Sequence, residues 1–279
     1  MRHKLYKYSL AIIIIFASVA LSAQSDENAM QIDTSYFQKG KSDFNFIEAV
    51  ARNQYETVEI LLERGISANT VSSTGNSALM YATETGNIEL MDLLLNYGAD
   101  INASGYKLET PLFIAIFKND FQAAKFLLEH GADPNIKDFY GVTPLIYAAA
   151  TNQYQSADLL MFYDADEKIT DSKGNDPLIA AVTFENIETS DVLLQNKMDP
   201  DVQDNDGNTP LIIATQKARH DIIDLLLDYQ ADANISNKKG YTPLAYAIIY
   251  NDYRASEMLI DNGADIDHKV NDSRNMADL

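Results

Sequence analysis

The chain contains no cysteine. Disulfides, thiolate metal sites and a cysteine nucleophile are therefore excluded, and the fold must be held by its core alone. Histidine is nearly as scarce. Beyond the first residues only His130, His220 and His268 occur, and no two have the spacing of an HExxH zinc site. GxSxG, Walker and dinucleotide-type glycine motifs are absent as well. These absences point to a protein without catalytic residues, metal or cofactor. Basic residues are also few, with 21 Lys and Arg against 41 Asp and Glu and a formal charge of -20. Such a chain is repelled by phosphate backbones, so nucleic acid is a poor partner.

No apolar run reaches the roughly 20 residues of a membrane span. The longest, Leu10 to Leu21, follows Arg2, Lys4 and Lys7 and precedes Ser22-Ala23. A basic start, a short apolar core and small residues at the cut read as a secretory signal peptide over residues 1–23, cleaved after Ala23 or Ser22, with a retained signal anchor as the alternative. The expected location is outside the cytoplasm, periplasmic or secreted, with no stable membrane insertion once the leader is removed. Residues 24–43 are polar and unpatterned and read as a flexible spacer.

What the rest of the chain does have is repetition. Ser77-Ala-Leu-Met-Tyr-Ala returns as TPLFIA from Thr110, TPLIYA from Thr143, DPLIAA from Asp176, TPLIIA from Thr209 and TPLAYA from Thr242, always 33 residues on. The apolar triplets Leu93-Leu94-Leu95, Phe126-Leu127-Leu128 and Leu225-Leu226-Leu227, among others, keep the same step. Two landmarks in phase define an array of one supersecondary unit. In the unit from Asp138, Thr143 suits a helix N-cap, Pro144 the first turn, and Leu145, Ala148 and Ala149 a buried stripe. The chain then reverses at Asn53, Gly86, Asn119, Asn152 and Asn251, types that accept a left-handed backbone, with Glu185 and Ala218 as exceptions. A second helix follows and stops at Gly65, Gly98, Gly131 and Gly263. Asp164, Lys197 and Gln230 replace that glycine elsewhere and predict strained or differently shaped turns. Asp/Asn and Gly pairs such as Asp138/Gly141 and Asp204/Gly207 predict hairpin-like connections between units.

The phrases TPLFIA, GADIN and GADPN at this spacing resemble the ankyrin repeat over residues 44–279, as seven units and a partial C-terminal eighth begun at Asp272. The resemblance implies an all-α repeat solenoid of stacked helix-turn-helix units joined by β-hairpin-type loops. It departs from the family where a histidine is expected after TPL: Met80, Phe113, Ile146, Ile179, Ile212 and Ala245 stand there. Apolar packing is expected to replace the bonds of that histidine.

The resemblance further implies a concave face, made of hairpin tips and the exposed side of each first helix, that grips a protein or peptide. Carried across, the tips are Tyr106, Lys107, Phe139, Tyr140, Lys173, Lys238, Lys239 and Tyr241. The helix positions are Phe117, Lys118, Phe184, Lys217 and Tyr250. Aromatics are the usual anchors of protein interfaces, and the lysines, on so acidic a chain, suggest a partner with an acidic surface. A structural or holdase-like role in the cell envelope, without a single partner, is the other reading. The carboxylates Asp199, Asp201, Asp204 and Asp206 lie close in sequence, but the ligand order of a calcium-binding EF-hand loop is missing.

Overall fold

A computed structural model describes residues 41–268. The architecture below is that of the compact unit that begins at Asn45, together with the start of the helix that enters it. The leader, the spacer up to residue 40 and the residues of the partial eighth unit lie outside the described part.

Each unit is an inner helix followed by an outer one, and the inner helix is the shorter of the two in every unit but the first. In chain order these are α1 (Lys41–Ala51) and α2 (Tyr55–Glu63), α3 (Ala78–Glu84) and α4 (Ile88–Asn96), α5 (Pro111–Phe117) and α6 (Phe121–Glu129), and α7 (Pro144–Ala150) and α8 (Tyr154–Phe162). They continue with α9 (Pro177–Thr183) and α10 (Ile187–Gln195), α11 (Pro210–Gln216) and α12 (His220–Asp228), and α13 (Pro243–Ile249) and α14 (Tyr253–Asp261). The first helix starts at Lys41, ahead of the boundary expected at residue 44.

The inner helices begin for the reason the sequence suggests. Thr110, Thr143, Thr209 and Thr242 each accept the backbone N–H three residues on, and proline follows at once. Ser77 and Asp176 cap in the same way. Each such cap is worth about 1 kcal/mol. Seven residues make about two turns, too few to stand alone, so stability comes from stacking. Inner helices pack closely on the next inner helix and outer helices more loosely on the next outer helix. One continuous core results, threaded by Leu79, Leu112, Leu145, Leu178, Leu211 and Leu244 of the inner row and Leu94, Leu127, Leu160, Leu193, Leu226 and Leu259 of the outer.

The reversals are left-handed throughout. Asn53, Asn119, Asn152 and Asn251 have φ of 55–57°, and Glu185 (64°) and Ala218 (54°) adopt the same conformation despite their side chains. At the helix stops Asp164 (59°), Lys197 (70°) and Gln230 (65°) follow the glycines into the left-handed region. These three turns are thus strained but not reshaped, because the stack fixes the path of the chain.

Hairpin-type loops join the units. In all six described loops the first residue donates its amide to the carbonyl four residues on, as in Asp138 to Val142 and Asp204 to Asn208, and the carboxylate Oδ1 of Asp138 accepts both the Tyr140 and Val142 amides at 2.8 Å. The third unit differs. Leu108 stands where the other loops have glycine, and the left-handed step moves to Lys107 (φ 60°) within a 3₁₀ turn at Tyr106–Leu108.

The residues in the missing-histidine position, from Met80 to Ala245, are all buried, as expected. Polar bonds also join the units. Asn69, Asn102, Asn135 and Asn234 each accept the amide of the aspartate 31 residues on, at 2.7–2.9 Å, and Gln153 and Asn186 donate to the Ile116 and Ala149 carbonyls of the preceding inner helix. Side-chain amides thus clamp unit to unit at other columns of the repeat.

Candidate partner-binding face

The aromatic positions taken from the sequence separate into two groups. In the first, the tips of the third and fourth units are tied by the Phe139 amide, which donates to the Lys107 carbonyl at 2.8 Å. The Tyr106 amide is held in turn by Asn76 Oδ1 at 2.9 Å. These bonds fix the backbone and leave the side chains outward: Phe139 is 68% exposed and Tyr106 57%. Tyr140 packs edge-on against Phe139 with ring centres 5.4 Å apart, and the Lys107 ammonium sits 5.3 Å from the Tyr106 ring centre. On the helices behind, Phe117 is half-buried against Tyr147, with ring centres 5.6 Å apart, and Tyr147 lies equally close to buried Phe113. Burial and the Glu109 carboxylate push the Tyr147 phenol above its ordinary range, so it stays a neutral hydrogen-bond donor.

The second group is in the seventh unit. Tyr246 stands between Tyr241 (5.5 Å) and Tyr250 (6.1 Å), and its hydroxyl accepts a bond from Asn237 Nδ2 at 3.0 Å. Phe184 is the half-buried C-cap of α9, in neither group.

Tyr147 and Tyr246 were missed in the sequence because they belong to the TPLIYA and TPLAYA phrases, which served only as landmarks of the repeat. The signal was present. Tyr246 precedes Tyr250 by four residues, which places the two on one helix face, and Tyr147 holds the equivalent place three units earlier.

The lysines behave differently from the expectation of a free basic rim. Lys118 pairs with Glu84 at 3.5 Å and Lys217 with Glu185 at 3.4 Å, each across a unit boundary, and the Lys238 ammonium donates to the Asn205 carbonyl at 2.6 Å. Glu185 also receives Arg219 at 2.6 Å. Burial pushes its carboxyl up, but bonds from Arg219 and Lys217 outweigh this and hold it below the ordinary value. These cations neutralise the chain's own acids where units meet. Lys173 and Lys239 are exposed at their tips. Among the described residues no group of three or more His, Asp or Glu is arranged to hold a metal, and no helix is long and apolar enough to cross a membrane.

A family model described as ankyrin repeats (3 copies) matches residues 46–138, 106–171, 138–204 and 178–270. Among solved structures, an ankyrin repeat domain from Acinetobacter baumannii is 26% identical with a TM-score of 0.64, covering 68% of this chain and 99% of that one. Comparison with curated proteins gives no match. Ankyrin repeats are binding scaffolds, not enzyme folds, and generally serve protein–protein interaction. With the family match running through nearly all of the described units, the chain belongs to the ankyrin-repeat family.

Proposed function

We propose that this protein is a non-enzymatic, exported binding module that grips one protein or peptide partner through the concave face of its third and fourth units. The observation that carries the reading is the exposure of Tyr106, Phe139 and Tyr140 at tips whose backbones are held by hydrogen bonds, in the same two units as the Phe117–Tyr147 pair. Exposed aromatic rings on a backbone that needs no further ordering bind with little entropic loss. Large rings that a partner can desolvate are the usual source of interface energy.

The ion pairs change the character of the partner. Lys118 and Lys217 are engaged within the array, which leaves Lys173 and Lys239 as the outward cations. The contact is then chiefly aromatic and apolar, with acidic character in the partner a secondary feature. Export rests on the basic and apolar pattern of residues 1–23.

Size-exclusion of the purified array with an envelope extract tests the reading. One stoichiometric complex, lost in the double variant Phe139→Ala/Tyr140→Ala, is the expected result. A broad, salt-sensitive smear that is indifferent to the substitutions overturns it and favours the holdase-like role. A reporter fused behind residue 40 and active only outside the cytoplasm checks export.

A further inference from the structure

Departures from the repeat pattern are scattered along most of the array, but at the fifth unit they converge. Asp176 stands where the other inner helices have Ser or Thr. Glu167 occupies a column otherwise filled by Ala, Ile and Pro, Lys168 a column of Asn and Asp, Lys197 a column with four glycines, and Met198 a column of Ala and one Ile. All five line one cavity of about 520 Å³ between the hairpins that lead into the fifth and sixth units, with Ile179 and Val202 in its wall.

Three features of this place run against stability. Lys168 cannot accept an amide as Asn135 and Asp201 do at the same position of the units on either side, so the side-chain ladder is interrupted. Lys197 holds a left-handed φ of 70°. Asp176 is 3% exposed; its Oδ1 accepts the Ile179 amide at 2.7 Å, while Oδ2 is buried without a partner. Threonine would cap the helix equally well and leave no orphan carboxylate oxygen, so the cap alone does not explain the acid. Unsatisfied polar groups and strained backbone in one spot are the mark of a site kept for a ligand.

The lining selects the ligand's class. Asp176, Glu167 and Asp199 and the basic Lys168 and Lys197 line one volume, and among the described residues neither lysine makes an ion pair. Two cations disfavour a bare metal ion, whereas both signs beside the apolar Ile179, Met198 and Val202 suit an organic molecule carrying both charges and aliphatic groups. The volume lies within the range of small-molecule sites and is too large for a single small amino acid. We infer that this cavity binds a small zwitterion of dipeptide size, with its ammonium group at Asp176 and its carboxylate at Lys168 and Lys197. The site is separate from the aromatic face and does not depend on it.

Alanyl-leucine is a suitable probe. The full array, labelled with ¹³C in its methionine methyl groups, is titrated with it and followed by NMR and calorimetry. Saturable binding with a shift of the Met198 resonance is expected, weakened at least about tenfold in Asp176→Thr and in Lys168→Asn. Both variants restore residues that other units use at these positions, so both should fold. N-acetyl-alanyl-leucine amide, which lacks both charges, should not bind. The inference is overturned if no binding is seen at millimolar peptide, if the blocked peptide binds equally well, or if Asp176→Thr binds like the parent.

Discussion

His220 Nε2 lies 2.8 Å from Asp252 Oδ2 and 2.9 Å from Oδ1, so the first residue of α12 is clamped to the N-cap of α14 in the next unit. Asp252 also caps α14 itself, accepting the Ala255 amide at 3.0 Å. Burial pushes its carboxyl up, but the Ala255 amide, the His220 ring and the Arg254 amide together hold it below its ordinary value of 3.8. A depressed carboxylate stabilises the fold above about pH 4, and that contribution is lost as the pH falls further. His220→Ala should cost about 1 kcal/mol and lower amide protection in α13 and α14 while leaving α5 to α8 unchanged. The acid-induced loss should also become smaller. Hydrogen exchange resolved by helix, at neutral pH and near pH 3, checks all three outcomes.

On the aromatic face, Tyr147 contributes through position as much as through contact. It packs against the Phe117 and Phe113 rings, with centres 5.6 Å away in each case. Tyr147→Ala should therefore weaken partner capture by about 2 kcal/mol, comparable with Tyr140→Ala, whereas Lys173→Ala at the rim should cost well under 1 kcal/mol and act mainly on the association rate. Affinities for the captured partner at two salt concentrations separate these cases. Equal losses for all three variants would refute an aromatic contact.

The fold was legible because one geometric unit recurs and the sequence must satisfy it each time. Thr143, Pro144 and Asn152 report a cap, a first turn and a left-handed step without any knowledge of the neighbours. What could not be read locally were the relations between units. Asn102 looks like a polar turn residue, yet it clamps Asp133 across the stack. Lys118 and Lys217 look like free cations on an acidic chain, yet each neutralises a glutamate one unit away. Glu185 and Ala218 carry no preference for a left-handed turn; packing on both sides imposes it on them. The candidate face was therefore half legible: its tips follow from the repeat register, while the Phe117–Tyr147 contact exists only once two helices are stacked.

Asp176 gives the array a second pH dependence of opposite sign to that of Asp252. Burial pushes its carboxyl up, its bonds from the Ile179 and Leu178 amides only partly offset this, and Asp199 raises it further, to about 7. Glu167, Lys168 and Lys197 are the other charged groups around the cavity. A raised carboxyl opposes folding once it ionises in the native state, so its contribution should improve as the pH falls from 8 towards 5. Between these two pH values the difference is about 3 kcal/mol or less. Asp176→Thr should be more stable than the parent at pH 8 and should lose most of this slope. Urea denaturation of both proteins at pH 5 and pH 8 measures it.

The strained helix stops allow the cost of the repeat geometry to be isolated. Gln230 holds φ at 65°, where Gly65, Gly98, Gly131 and Gly263 lie between 81° and 90°. An L side chain in that region costs about 1 kcal/mol, and glycine gives part of this back through its greater freedom in the unfolded chain. Gln230→Gly should therefore stabilise the array by about 0.5–1 kcal/mol, and Asp164→Gly by a similar amount; sites two units apart should add when combined. Gly98→Gln is the reciprocal test. Nothing lies within 4 Å of a Cβ built at Gly98, so the substitution introduces backbone strain without a clash. A loss of the same size identifies the backbone as the cause. If Gly98→Gln were neutral, the left-handed turns would have to be held by the stack at no cost, and the irregular stops of the fourth to sixth units would then carry no energetic weight at all.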